Sequence, residues 1–196
     1  MSTDSAEQDV VDVLTADHHR VLDLLAGIAR SDDDAERRDL ADTVIAELVR
    51  HSVAEEMFVY PAIRTHLPDG AEAVEHDIAE HKELERTMKE LEGVEPSDPQ
   101  FRVLLEQLEA SLRDHVSDEE SEQFPRLRAA IPRTELIKIA GQVETAKQVA
   151  PTRPHPAAPN SALFHLLVGP GVGLVDRVRD VLTGRQVEEK PDRPES

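Results

Sequence analysis

A histidine followed four residues later by a glutamate occurs at two places in this chain that could serve a metal, His51-x-x-x-Glu55 and His115-x-x-x-Glu119. Side chains four residues apart on a helix project from the same face, one turn from each other. An imidazole can then bind one metal ion while the carboxylate reaches toward a second. The spacing therefore predicts metal ligation from two helices.

These two motifs belong to an internal repeat. The segment 51–64 aligns with the segment 115–128 at an offset of 64 residues, and His18 aligns with His81 at an offset of 63. Each half is thus a helix that carries one histidine, followed by a helix that carries His-x-x-x-Glu. Two equivalent pairs of helices predict a pseudo-two-fold arrangement around one central site.

The bare spacing is not selective, because it also occurs at two further places, starting at His76 and at His81. The repeat distinguishes the histidines, since His76 and His19 have no histidine at the aligned positions. Helical geometry agrees with it. His18 and His81 continue the apolar stripes of their helices, whereas His19 lies about 100° and His76 about 140° away from those stripes.

The expected ligand set is four imidazoles and two carboxylates, namely His18, His51, His81, His115, Glu55 and Glu119. This mixture suits iron, with zinc and manganese as weaker alternatives. If both glutamates bridge, each of two ions receives two nitrogens and two oxygens, and a shared oxo or hydroxo group supplies a fifth ligand. One position on each ion then stays open for a diatomic molecule or peroxide. Two buried carboxylates facing each other without a cation would be very costly.

An aromatic residue followed by proline occurs at matching places in the repeat, Tyr60-Pro61 and Phe124-Pro125. Proline inside a helix removes a hydrogen bond and clashes with the preceding turn. We therefore expect each helix to end or kink there, with the rings packed against the bundle. Tyr60 is also expected to lie close enough to one metal to hydrogen-bond a bound ligand.

The segments that must position these side chains have a helical pattern. Apolar residues recur at steps of mostly three or four over residues 8–30, 35–65, 70–93 and 98–130, and breaks with Pro, Gly or capping residues separate them. Aromatic residues make up only 3% of the 196 residues and Trp is absent, so the core must be built from Leu, Val, Ile and Ala. The pattern predicts an all-α protein, an up-down four-helix bundle with a C-terminal extension.

The chain is divided by these patterns into a bundle and several short segments. The predicted parts are the bundle at 8–130, an additional helix at 131–149, a Pro-rich linker at 150–161, a short apolar helical segment at 162–184 and a disordered tail at 185–196. The apolar segment is expected to pack on the bundle or form a dimer contact rather than to anchor the chain to a membrane. The sequence makes no prediction of oligomeric state.

Composition excludes several classes of function. Cysteine is absent, which removes disulfides, thiolate catalysis and Cys-ligated metal sites. The net charge of −19 belongs to residues 1–149 and would repel a phosphate backbone, so no nucleic-acid partner is expected. Neither a secretory signal nor a transmembrane segment is recognisable, and the expected location is cytoplasmic.

The ordered motifs resemble the hemerythrin-like, or HHE cation-binding, family over about residues 8–130. They are Asp17-His18, His51-x-x-x-Glu55-Glu56 with Tyr60-Pro61, Glu80-His81, and His115-x-x-x-Glu119-Glu120 with Phe124-Pro125. The resemblance implies a non-heme centre of two iron ions. It implies His18 and His51 on one iron, His81 and His115 on the other, and Glu55 and Glu119 as bridges.

The third helix departs from the oxygen-carrying hemerythrins of marine invertebrates, which have a His-x-x-x-His pair there. Here Asp77 and Glu85 stand four residues before and after His81. One imidazole fewer implies more open irons and a closer likeness to bacterial HHE proteins of oxygen, peroxide or nitric oxide chemistry. The expected function is binding of such a small oxidant, with catalase-like turnover of peroxide. The alternative is an iron- or oxygen-responsive sensor or interaction module without turnover.

Overall fold

The computed structural model describes residues 7–154, and these residues form helices without any strand. The helices are α1 (Val10–Arg30), α2 (Asp34–Ala54), α3 (Tyr60–His66), α4 (Gly70–Glu92), α5 (Pro99–Asp118), α6 (Phe124–Ala130) and α7 (Arg133–Val149). None of these helices is long and apolar enough to cross a membrane. Most of the predicted linker, the apolar segment at 162–184 and the tail at 185–196 lie outside the described residues.

Four helical rods form the bundle. The first and third rods are α1 and α4. The second joins α2 to α3 through a π-helical turn, Glu55–Val59, and the fourth joins α5 to α6 through a second π-helical turn, Glu119–Gln123. Helix α1 packs on α2, α4 packs on α5, and α7 lies against both α1 and α2. The predicted all-α bundle is confirmed.

Aspartates fix the starts of three rods. Asp9, Asp33 and Asp98 each accept a hydrogen bond from a backbone N–H in the first turn of α1, α2 and α5. Such caps satisfy donors that have no partner within the helix. Asp9 also accepts hydrogen bonds from Arg128 of α6, so the cap of the first rod is tied to the end of the fourth.

We expected each helix to end or kink at Pro61 and Pro125. The helical rods do not end there, because the chain stays helical to His66 and Ala130, and a kink stays a prediction. In each case one aromatic residue separates the proline from a preceding π-helical turn. The N–H of Tyr60 bonds to the carbonyl of Glu55, five residues back instead of four. The regular bonding register is therefore already interrupted where the proline removes a donor, which is why the rod accommodates it.

The interior is divided into two apolar regions by a layer of buried polar side chains. The lower region contains Leu14, Ile63, Val74, Leu127 and Leu136, and the upper region contains Ile28, Ile45, Met88, Leu104 and Leu108. Along α1 the order is Leu14, then His18, then Val21, and the other rods follow the same order of apolar, polar and apolar residues. The polar layer between the two regions holds the residues that the sequence singled out.

Gly70 marks a close approach between the end of α3 and the start of α4. A Cβ at this position would lie 2.1 Å from the carbonyl oxygen of Ile63, whereas a Cβ at Gly141 would meet nothing within 4 Å. We expect Gly70→Ala to lower the free energy of unfolding by about 1 kcal/mol or more. Gly141→Ala on the exposed face of α7 should raise it by about 0.5 to 1 kcal/mol.

Urea denaturation of both variants measures the two changes. Equal effects of the two substitutions would contradict the steric argument, because helix propensity alone does not distinguish them.

Candidate metal centre

Six side chains meet in the polar layer, and they are the six that the sequence predicted. Each is at most 3% exposed, and together they come from all four rods: His18, His51, Glu55, His81, His115 and Glu119. The two glutamates are the first residues of the two π-helical turns. Such turns occur frequently at functional sites.

The four imidazoles form two facing pairs. Nε2 of His18 lies 3.2 Å from Nε2 of His51, and Nε2 of His81 lies 3.3 Å from Nε2 of His115. Each pair combines one histidine from each helix of its repeat half. The four ring nitrogens therefore point toward the centre of the bundle in two groups.

Each glutamate spans the two imidazole pairs. Oε2 of Glu55 lies 3.2 Å from Nε2 of His51 and 3.4 Å from Nε2 of His81. Oε2 of the repeat-related Glu119 lies 3.3 and 3.6 Å from Nε2 of the other two histidines. Each carboxylate thus contacts one imidazole of each pair, which is the placement that a bridging ligand needs.

The carboxylates lack the hydrogen bonds that buried oxygens normally make. Both oxygens of Glu55 and Oε2 of Glu119 are buried and have no hydrogen-bond partner, although imidazole nitrogens lie close by. Buried polar atoms without partners are costly and rare. Ligand atoms of His51, Glu55, His115 and Glu119 all lie within 4.8 Å of one another, so this donor set fits a cation.

Three of the four histidines contact a carboxylate through the other ring nitrogen. Nδ1 lies 2.8 Å from Glu120 in His18, 2.9 Å from Glu80 in His115 and 3.5 Å from Asp17 in His51. Because a carboxylate only accepts, each Nδ1 carries the hydrogen and donates it. When such a ring is neutral, its lone pair is on Nε2 and faces the centre, as in metal-binding histidines.

The fourth histidine departs from this pattern. Nδ1 of His81 lies 3.0 Å from the hydroxyl of Tyr60, and the two rings stack at 5.8 Å. Phe124, the repeat counterpart of Tyr60, stacks on His18 at 5.9 Å. Burial, together with the surrounding carboxylates, raises the pKa of Tyr60 well above its ordinary value, so its hydroxyl stays protonated. Its contact with a bound ligand remains a prediction.

Charges within the cluster strongly perturb the imidazoles. Burial opposes charge on His51, but Glu55 and Asp17 outweigh it and raise the pKa of His51 to about 10. Burial and the positive charge of His115 hold the pKa of His81 well below its ordinary value. Two imidazoles of the layer are therefore in opposite electrostatic environments.

The two glutamates also differ. Burial and the charge of Glu119 raise the pKa of Glu55. Burial has the same effect on Glu119, but His115 and His18 outweigh it and lower the pKa of Glu119 to about 2. The layer therefore holds one carboxylate whose charge is well compensated and one whose charge is not.

Comparison with known proteins independently indicates a cation-binding domain. The family model of the hemerythrin HHE cation binding domain matches residues 9–127. The chain belongs to this family. An uncharacterized hemerythrin-like protein of Schizosaccharomyces pombe is 28% identical over 174 residues, which cover 88% of this chain and 86% of that protein.

Two further similarities extend over much of the HHE domain. A DNA nickase of Nostoc is 27% identical over 145 residues, which cover 74% of this chain but only 41% of the nickase. The crystal structure of an HHE cation binding domain-containing protein from Mycobacterium kansasii covers 86% of this chain and 98% of that one, with a TM-score of 0.62 and 22% identity. At this identity the structural match shows the shared fold.

The partners that surround the HHE site were not predicted from the sequence. Asp17 and Glu80 precede repeat-related histidines, so their acidic character was visible although their contacts were not. Lys147 of α7 lies outside the repeat and gave no signal. Its Nζ lies 2.6 Å from Oδ2 of Asp17, which in turn contacts His51. The seventh helix thus neutralises a carboxylate that orients a predicted ligand.

Removing this lysine should destabilise the metal-free HHE domain. Burial opposes charge on Asp17, but His51 and Lys147 lower its pKa to about 2. We expect Lys147→Met to lower the free energy of unfolding at pH 7 by about 1 to 3 kcal/mol, because a buried carboxylate loses a charged donor. The matched control is Lys138→Met, which changes an exposed lysine of α7.

Urea denaturation between pH 7 and pH 3 measures this effect. Because the pKa of Asp17 is depressed in the folded state, the contribution is present above about pH 4 and is lost as the pH falls toward 2. A difference between wild type and Lys147→Met that grows on acidification would rule out this explanation.

Proposed function

We propose that this protein holds two iron ions in the polar layer and binds a small oxidant there, namely dioxygen, peroxide or nitric oxide. The observation that supports the proposal best is the convergence of four imidazole nitrogens on two buried glutamates, three of whose four carboxylate oxygens lack a hydrogen-bond partner. A cation pair would compensate both carboxylates and use all four lone pairs. Catalase-like disproportionation of peroxide is the reaction that we propose to test first.

The spacing of the side chains suggests how they would share two ions. His18 and His51 would hold one ion, His81 and His115 would hold the other, and Glu55 and Glu119 would each contribute to both. Bound iron would supply the redox chemistry of the site. The carboxylates on Nδ1 of His18, His51 and His115 keep each ring oriented and strengthen it as a ligand.

The surroundings of the site favour a small ligand. Apolar regions lie on both sides of the polar layer and keep bulk water away from it. Tyr60 holds a proton at its hydroxyl oxygen next to His81, where it could donate to a bound anion. Phe124 offers no such proton on the other side, so the two halves of the site differ in what they present to a ligand.

The sensor alternative depends on the segment 162–184 and the tail, which lie outside the described residues. We do not extend DNA cleavage from the Nostoc relative to this chain, because the shared region is 41% of that protein and a net charge of −19 opposes phosphate binding. The cytoplasmic location also stays a prediction.

Adjacent histidines of α1 provide a matched test of metal binding. His18 is buried in the layer, and His19 is exposed. Wild type and His19→Ala, loaded anaerobically with ferrous iron, should each bind about two irons per chain. His18→Ala should lose at least one, because one of the two ions would have a single remaining imidazole.

Iron per chain and the near-ultraviolet spectrum measure this outcome, followed by peroxide consumption. The loaded wild type should consume peroxide and His18→Ala should not. Absence of bound iron from all three proteins would contradict the proposal of a metal site. Bound iron without peroxide turnover would leave ligand binding or sensing as the function.

Glu55→Gln should have opposite effects on stability and on metal affinity. The raised pKa of Glu55 shows that the fold disfavours its charge, so a neutral amide should raise the free energy of unfolding of the metal-free protein at pH 7 by about 1 kcal/mol. The same change should weaken metal binding at least tenfold, because a bridging carboxylate is lost. Thermal unfolding with and without metal measures both. Loss of stability in the metal-free form would show that the charge of Glu55 is already compensated.

A further inference from the structure

A second group of potential metal ligands lies on α4, outside the six buried residues. His76, Asp77 and Glu80 each offer an atom, and these atoms all lie within 4.8 Å of one another. Nδ1 of His76 is 3.9 Å from Oδ1 of Asp77 and 3.8 Å from Oε2 of Glu80. The side chains are 59%, 0% and 24% exposed in that order, so the group extends from the surface into the protein.

Asp77 contributes a buried, unsatisfied oxygen to this group. Its carboxylate is completely buried, and Oδ1 accepts a hydrogen bond of 2.7 Å from Gln123. Oδ2 is buried and has no hydrogen-bond partner. A buried carboxylate oxygen without a donor is costly, and a cation held next to it would remove that cost.

Glu80 connects this outer group to the buried site. Its Oε2 lies 3.8 Å from Nδ1 of His76 on one side and 2.9 Å from Nδ1 of His115 on the other. The imidazole of His115 then presents Nε2 to the centre of the layer, 3.3 Å from His81. One carboxylate thus contacts both groups, and polar atoms continue without a break from His76 to the buried imidazoles.

The other half of the repeat has no such group. The residues aligned with His76 and Asp77 are Val13 and Leu14, and both are buried in the lower apolar region. The residue aligned with Glu80 is Asp17, which is paired with Lys147 of α7. A bound ammonium group there repels a cation, so the aligned positions Val13, Leu14 and Asp17 form no counterpart of the outer group.

We propose that His76, Asp77 and Glu80 form an outer site for a divalent cation through which metal enters and leaves the buried ligands. The inference rests on the proposed metal function of the buried site. One imidazole and two carboxylates suit ferrous, zinc or cobaltous ions, and three protein ligands leave room for water. Such a site holds a cation weakly beside the surface and raises its local concentration next to Glu80.

A residue on the path of the metal should affect the rates of loading and release equally, because metal passes it in both directions. The affinity of the buried site should then stay unchanged. The experiment uses Co²⁺, whose visible absorbance reports its coordination, with the metal-free full-length chain in stopped flow. We expect His76→Ala to slow both loading and chelator-driven release about tenfold, with unchanged affinity, stoichiometry and thermal stability of the loaded protein. His76→Asp keeps a ligand at this position and should load at nearly the wild-type rate.

His66→Ala is the control, because His66 is a partly exposed histidine at the end of α3, outside the outer group. It should leave both rates unchanged. Wild-type rates in His76→Ala would overturn the proposal and leave the buried metal site intact. A lower affinity or stoichiometry in His76→Ala would also overturn it, since His76 would then support the final site. Wild type that binds no Co²⁺ would remove the proposed function and this inference with it.

Discussion

Glu55 and Glu119 place two carboxylates in the middle of a helical bundle, where water cannot compensate their charge. The cost of burying such groups exceeds what most single contacts return, so the surroundings must offset it collectively. Four imidazoles surround the pair, and three of these imidazoles donate to carboxylates farther out. Lys147 then neutralises one of those outer carboxylates. Along the path Glu55, His51, Asp17 and Lys147, acidic and basic groups therefore alternate from the centre to α7.

The backbone takes part in the same arrangement. Each central glutamate begins a π-helical turn, and each turn is followed by an aromatic residue and a proline. The wide turn rotates the residues after it relative to a regular helix, so that Glu55 and the ring of Tyr60 can both face the layer. The ring packs on His81 in one half, and that of Phe124 packs on His18 in the other. The local irregularity thus serves both halves in the same way.

Much of the fold and of the site could be predicted, because helices and repeats produce recognisable spacings of residues along the chain. The apolar period located the rods, and the repeat selected His18 over His19 and brought together the six residues of the layer. Pro61 and Pro125 misled the prediction, since a change of bonding register is invisible in residue types. The role of Lys147 could not be predicted, because Lys147 and its partner Asp17 are 130 residues apart in the sequence. His76 was set aside by an argument from symmetry, which by its nature overlooks features that one half has alone.

The two apolar regions on either side of the polar layer have a further consequence for how the bundle moves. Each region is a short core in its own right, and the two are stacked end to end with the layer as the joint between them. A layer of charged groups couples the stabilities of the two regions more strongly when its charges are compensated. We therefore expect the two regions to unfold as separate cooperative units when the charges of the layer are uncompensated, and as one unit when a bound cation cross-links the layer. A cation bound in the polar layer would therefore couple the unfolding of the lower apolar region to that of the upper one.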